Sequence, residues 1–402
     1  MKIYESAVKK PVTTLMIFMA IMVVGGYSLS RLALDYFPEI EFPTITVLTA
    51  YPGASSENIE QNITKPLEEQ FSSLNNLKKL TSRSSDNVSV VSVEFVYGSN
   101  LDEAANDIRN VLDRVQPMLP SDVERPTILK FSTDQLPILF YAVNADKNYD
   151  GLDKILEDQV VNQLNRIDGV ASVRAIGVPK RAIYVEFNPA ALNTYGITLD
   201  QIGNIIKAEN LKLPIGSVKT TDNEYKISFE GEYQNAAQLR KTVIPIQGGK
   251  TVRLEDIATV RDTLKDRTTV ERINSGKGVR MLVMKQSGAN TVEVANKVIA
   301  ELEKIKPNLP LDVKIEPIID TSKNILTAIN NLIETILYAL VFVTLVIMVF
   351  LGRWRPSIIV LTVIPISLIS GFVYLFITGN SLNIITLSAI TIAIGMVVDD
   401  AI

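Results

Sequence analysis

Apolar residues gather at the two ends of the chain and alternate with polar ones through its middle. Val12 to Leu29 is an uncharged run of about bilayer-spanning length. Three more runs crowd the far end: Leu332 to Leu351, interrupted only by Glu334 near its outer end, then Ser357 to Thr378, then Leu382 to Ile402. Lys2, Lys9 and Lys10 precede the first run against the single acid Glu5, which places the N-terminus in the cytoplasm. No small-x-small cleavage site follows in "YSLSRLALD", so the run reads as an uncleaved anchor and not a signal peptide. The "GRWRPS" loop carries Arg353, Trp354 and Arg355 and should also be cytoplasmic, whereas "TGNSLN" is uncharged and should lie outside. Both ends therefore predict the same topology, with four crossings. The last run stops without a flanking charge, loop or cap, so the chain is read as the N-terminal part of a longer protein.

The middle predicts a module built by repetition. "TITVLTAY" is a strand, and the stretch from "PGASSENIE" into "EEQFSSL" turns into an amphipathic helix. "LKKLTSRS" and "VSVVSVEFV" are strands, "NLDEAANDIRNVLDRVQPML" a second helix and "PTILKF" a closing strand. That β-α-β-β-α-β order is the split ferredoxin-like unit. It begins again with "LPILFYAVNA", a helix over 150–167, and the strands "GVASVRAIG" and "RAIYVEF". After an interruption it ends with "GVRMLVMKQS", a helix and "DVKIEPI". Residues 100–123 lie over 290–313 without a gap and share ten identities in twenty-four positions, among them Glu103/Glu293, Asn106/Asn296 and Pro117/Pro307. Shared helix-Pro-strand grammar explains fewer than that, so duplication is favoured, and repeats are a common way to build transporters. The interruption, 181–264, holds the helical "NPAALNTYGITLDQIGNIIKAEN" and the strand-like "EYKISFEGEY" and "TVRLEDIATVRD", and reads as a separate small subdomain.

Composition removes several function classes. The chain's 402 residues allow two or three domains. With 40 Lys+Arg against 44 Asp+Glu it has a formal charge of −4 and no basic stripe for nucleic acid. There is no cysteine, hence no disulfide framework or thiolate metal site. There is no histidine either, which excludes a Ser-His-Asp or His-metal enzyme.

Several stretches together carry a family resemblance: "YFPEIEFPTITVLTAYPGASSENIE" after the first apolar run, the helix-strand repeats, "GVASVRAIG", "LEDIATV" and "NIITLSAITIAIGMVVDDAI". The chain resembles, over its whole length, the resistance–nodulation–cell division (RND) transporters, in particular their hydrophobe/amphiphile efflux branch. The resemblance implies an α+β membrane protein in the bacterial inner membrane: a helix bundle with ferredoxin-like periplasmic porter subdomains and an inserted docking subdomain. It implies residues 1–31 as the cytoplasmic end and first membrane helix, and 42–131 as the first porter subdomain. Residues 132–180 with 265–319 become the second porter subdomain and 181–264 the docking subdomain. Residues 332–351, 357–378 and 382–402 become membrane helices 2 to 4. It further implies a homotrimer, a periplasmic adaptor and an outer-membrane channel as partners, and proton influx driving export of an amphiphilic small molecule. No cofactor is implied. The family's inter-subunit hairpin should emerge near "AENLKLPIGSVKTTDNEYKIS", where it is short.

In that family two adjacent aspartates on the fourth helix belong to the proton relay, and they map onto Asp399 and Asp400. An ionised carboxylate within a bilayer costs about 2.5–3.5 kcal/mol on insertion scales, so such residues usually face protein and act. Neighbours on a helix point about 100° apart, so both can face a bundle interior, and their titrations should be coupled. The competing reading makes them only the cytoplasmic end of the last helix. The resemblance also marks Leu136, Pro137, Ile138, Arg174 and Ile176 as substrate-pocket positions, which are mostly aliphatic, with Arg174 among them, where drug exporters often carry aromatics. Glu334 reads as interfacial, Pro365 as a kink, Gly395 as a site of close helix packing, and Met281 with Met284 as a weak soft-metal pair. Two rivals stay open: a membrane-anchored periplasmic binding or assembly module without transport of its own, and a heavy-metal or lipid exporter of the same superfamily.

Overall fold

The computed structural model describes residues 7–145, 149–220, 224–246, 250–266, 269–274, 276–351 and 354–401, with the backbone alone at 218, 227, 343–344, 347–348, 350–351, 354–361 and 398–401. Helix α1, Pro11–Arg31, is uncharged up to its last residue. It leads into β1, Glu41–Ala50, and then a continuous helical run, α2, through Ser56–Ile59, Glu60–Thr64 and Lys65–Phe71 whose middle turn is π. Strands β2 (Leu77–Ser85) and β3 (Val88–Phe95), helix α3 (Leu101–Val115) and strand β4 (Thr127–Ser132) complete the first unit. Every second residue of β3 is buried, the period that presses one strand face against helices. Ile45, Val47, Val91 and Val93 meet Ile63, Leu67, Phe71 and Ile108 in one core.

The second unit follows the same plan. Strand β5 (Pro137–Asn144) leads to α4, a helical run through Leu152–Leu156, Glu157–Val161 and Asn162–Leu164 that again has a π turn in its middle, and then to β6 (Val170–Ile176).

An inserted unit intervenes. It comprises β7 (Arg181–Phe187), α5 (Pro189–Tyr195), α6 (Leu199–Glu209) and the hairpin β8 (Lys212–Lys219) with β9 (Glu224–Glu230). It continues with α7 (Ala236–Arg240), β10 (Val243–Pro245), β11 (Thr251–Arg253), α8 (Leu254–Ile257) and β12 (Ala258–Leu264). The stretch expected to be helical, "NPAALNTYGITLDQIGNIIKAEN", forms two helices: Gly196 ends α5 at φ +63°, and Thr198 with Gln201 forms a reciprocal cap that starts α6. "RAIYVEF" also departs from its expected place beside "GVASVRAIG". It pairs with β12 instead, Arg181 opposite Leu264, so the insert is pinched shut at its base.

After a two-residue pairing of β13 (Arg272–Ile273) with β14 (Gly276–Lys277), the second unit closes with β15 (Val279–Lys285), α9 (Thr291–Ile305) and β16 (Lys314–Asp320). Its strand order, β16-β5-β15-β6, mirrors β2-β3-β1-β4 of the first unit when each is numbered by its own sequence. The insert occupies the place of the tight turn between β2 and β3.

Strand β16 passes directly into α10, Thr321–Leu351, followed by α11, Trp354–Ile377, and α12, Ile384–Ala401. Leu332, Ile364, Phe372, Leu387 and Ile394 form their shared core. Helix α10 begins about three turns before the expected Leu332, because Ile325, Ala328 and Ile329 extend its apolar stripe down to the second unit. Among the described residues, Pro11–Arg31 and Thr321–Phe342 are long and apolar enough to cross a membrane; Thr362–Ile377 and Ile384–Val397 are apolar but shorter. The expected third and fourth crossings also include 357–361 and 398–402, whose side chains lie outside the described set, as does Arg353 of the basic loop. Val12, Met16 and Val23 on α1 and Leu337, Val341 and Phe342 on α10 are exposed. Such helices, apolar all round, call for lipid or protein cover.

Candidate functional site

Two places answer to the residues singled out in the sequence, and they are linked. The first is α12. Its start is fixed by Asn383, almost wholly buried, whose side-chain oxygen accepts from the amides of Ile385 (3.1 Å) and Thr386 (3.0 Å). Thr386 returns the contact by accepting from the Asn383 amide at 2.8 Å, which satisfies the helix's first donors away from water. From there α12 packs against α10 and α11 through Leu387 and Ile394. A small cavity of about 80 Å³ between α11 and α12 is lined by Ile364, Ser367, Gly371, Ala393, Ile394 and Val397. Asp399 and Asp400 follow on the next turn of the same helix; their side chains lie outside the described residues. Glu334 is exposed on α10, and α11 continues through Pro365.

The second place is a cleft of about 230 Å³ at the base of the second sheet. One wall is the segment leaving α1, with Asp35, Tyr36, Phe37 and Glu39; the other is the start of β5, with Leu136, Pro137, Ile138 and Phe140. Leu136 is exposed, whereas Ile138 is buried and also belongs to the second core. Three of the five expected pocket residues thus share one cavity. Arg174 and Ile176 do not line it: they sit on edge strand β6. They lie on the sheet face that also bears Phe140, since Leu282 pairs with both Phe140 and Arg174. Two strand spacings, about 10 Å, separate Arg174 from Phe140.

Polar groups concentrate at the deep end of the cleft. The Lys285 ammonium lies 3.2 Å from Asp35 Oδ1, with only 8% and 13% of the two side chains exposed. It also donates to the Ala289 carbonyl at 3.0 Å, and the Thr291 hydroxyl donates to Asp35 at 2.8 Å. Each buried charge is therefore met by an opposite charge and a further hydrogen bond, the condition under which such a pair survives burial. Burial pushes the nearby Asp134 carboxyl up. The hydroxyls of Ser132 and Ser287, its own backbone and the Lys285 charge outweigh that and hold it below its ordinary 3.8. The Ser287 hydroxyl also faces Glu39 at 2.5 Å, and its one proton serves a single carboxylate at a time.

Sequence reasoning did not single out Asp35 or Lys285. They stand 250 positions apart as isolated charges, and the only local signal is a lysine closing the apolar strand "VRMLVMK". The soft-metal pair does not assemble: Met281 is fully buried in the second core, while Met284 is half-buried on the other face beside the Ser172 hydroxyl at 3.5 Å.

Comparison with known proteins gives a consistent outcome. The profile of the AcrB/AcrD/AcrF family matches residues 3–402. The multidrug resistance protein MdtC of Enterobacter sp. (strain 638) is 29% identical over 404 aligned residues, covering 100% of this chain and 39% of that protein. MdtC of Escherichia coli (strain SE11) is 30% identical, again over 100% of this chain and 39% of its own length. MdtC of Yersinia enterocolitica serotype O:8 / biotype 1B is 29% identical, with 40% of its length covered. The chain thus spans about two fifths of the length of these curated relatives.

Proposed function

Since the chain belongs to the AcrB/AcrD/AcrF family of RND transporters, secondary active carriers and not enzymes, we propose that it serves proton-driven export of amphiphilic compounds, drugs among them. One observation carries the reading. The helix bearing the adjacent aspartates shares an apolar core with α10 and α11, and its first residues contact the segment that walls the cleft.

In this reading Asp399 and Asp400 take up and release the protons. Protonated, the pair tolerates an apolar setting; ionised, it seeks a cation. Among the apolar runs of α10, α11 and α12 the sequence supplies no lysine or arginine for that purpose, so the partner belongs to another part of the transporter. The cleft, extended along the open sheet face to Arg174 and Ile176, receives the amphiphile: Tyr36, Phe37, Leu136 and Phe140 take its apolar body. Coupling requires that proton and substrate bias the same conformations.

We assign 42–131 to a first periplasmic porter subdomain, 132–180 with 265–319 to a second, and 181–264 to a docking subdomain. The support is the repeated strand order and the paired base of the insert. An inner-membrane homotrimer working with a periplasmic adaptor and an outer-membrane channel completes the proposal. The relatives' description as multidrug resistance proteins favours drug-like amphiphiles over metal ions or lipids.

The test is export of a fluorescent amphiphile from cells, wild type against Asp399→Asn and Asp400→Asn. Loss of export in either neutral variant, with membrane insertion intact, supports proton carriage by the pair. Undiminished export in both makes the pair a helix end and removes the mechanism.

A further inference from the structure

Helix α1 does not end in free loop. Between Leu32 and Glu39 the chain runs as a strap with two sets of attachments. On the membrane-bundle side, the Leu382 amide donates to Ala33 O at 2.8 Å and the Asp35 amide to Leu382 O at 3.0 Å, with Leu34 and Leu382 in a parallel bridge. The Ile384 amide, first of α12, donates to Tyr36 O at 3.3 Å. On the sheet side, the Thr291 amide donates to Leu34 O at 2.9 Å and its hydroxyl to Asp35 at 2.8 Å. Lys285 closes the buried ion pair with Asp35 at 3.2 Å.

We propose that this strap couples α12 to the second sheet unit, with Asp35 and Lys285 as the positioning residues that make the sheet follow the helix. The proposal rests on the reading above that Asp399 and Asp400 move α12. The attachments sit where a pull acts best. On one side they fall on the residues that begin α12, immediately beside its Asn383 cap. On the other they fall on Lys285, the last residue of β15, and Thr291, the first of α9. An axial shift of α12 therefore displaces Leu382, then Leu34 and Asp35, then one end of a strand and one end of a helix in the same unit. The ion pair is what resists slippage. Separating Asp35 from Lys285 would leave two buried charges unpaired, so the pair moves as one body sooner than it opens. Asp35 also walls the cleft, so the shift is felt where the amphiphile would lie.

The experiment measures amphiphile export from cells and proton flux in liposomes carrying the full-length protein. Asp35→Asn and Lys285→Met are expected to insert normally. Export should fall roughly five- to a hundredfold, the usual span of a coupling free energy between sites, while proton flux continues without amphiphile. A merely structural role would lower both fluxes together, and that result, or wild-type export in both variants, overturns the proposal. A second variant leaves the ion pair untouched. This chain has no cysteine of its own, so Leu34→Cys/Leu382→Cys places a possible disulfide across the strap, with each single-cysteine variant as the control. If strap and helix start move together, oxidised and reduced forms export equally; if oxidation stops export, the two slide past one another and the strap does not couple. Asp400→Asn in the same assay separates the two ideas. Export that survives it removes the proton reading, whereas export that survives Asp35→Asn and Lys285→Met removes the strap.

Discussion

Gly169 holds a left-handed φ of +89° against the first turn of α9, where an added Cβ would lie 2.6 Å from Val294 Cγ2. Gly169→Ala should cost about 1–3 kcal/mol from backbone strain, seen as a lowered thermal midpoint of the purified protein. Asp134 gives a pH signature. Its folded carboxyl titrates below the ordinary 3.8, so its contribution to stability is present above that value and is lost as pH falls through the depressed one. Asp134→Asn should therefore lower stability at neutral pH and flatten its acid dependence, measured by denaturant titration at several pH values. At this scale the sequence was legible in part. Leu136, Pro137 and Ile138 are contiguous, and one strand start carries them into the cleft together. Arg174 and Ile176 belong to another strand, and their distance from Leu136 depends on a strand order that no local pattern records. Asp35 and Lys285 meet only because α1, β15 and α12 converge.

Among the elements, the repeat is the clearest case of sequence becoming structure. Asn100 and Asn290 each cap a fifteen-residue helix by accepting from the amides two and three residues on, and each helix ends in a short 3₁₀ turn. Asn290→Ala should destabilise the second unit by about 1 kcal/mol, and Asn100→Ala the first by a similar amount, read from unfolding midpoints. The matching π turns at Glu60–Thr64 and Glu157–Val161 extend the correspondence to α2 and α4, where residue identity has faded. Apolar periodicity does not distinguish a π turn from an α turn over five residues, which is why these were invisible beforehand. The break between α5 and α6 was visible in principle, since Gly196 and the Thr198–Gln201 cap are ordinary stop and start signals. At the α1–α11 contact, a Cβ on Gly25 would collide with the Ile369 side chain and approach its carbonyl oxygen to 3.0 Å. Gly25→Val should force the two helices apart and lower the yield of assembled protein extracted from membranes.

Taken whole, the molecule is two copies of one sheet plan, an insert pinched at its base, and helices whose apolar surfaces exceed what they bury in one another. Val23 is 72% exposed on α1. Val23→Arg should cost about 2.5–3.5 kcal/mol of insertion free energy near the bilayer centre, measured as the inserted fraction of newly made chain. The direct passage from β16 into α10 has a further consequence, for tolerance to insertion and deletion. With no linker to absorb a change in length, the sheet edge and the membrane half of α10 are keyed like a shaft in a slot. One residue added between Ile325 and Leu332 turns everything beyond it by about 100° and advances it by about 1.5 Å, so Leu332 and Ile336 leave the face they share with α11 and α12. Seven added residues restore that face to within about 20° while lengthening the shaft by about 10 Å. Chains of this plan should therefore differ in length freely at the hairpins of the insert, and at this junction by whole heptads or not at all.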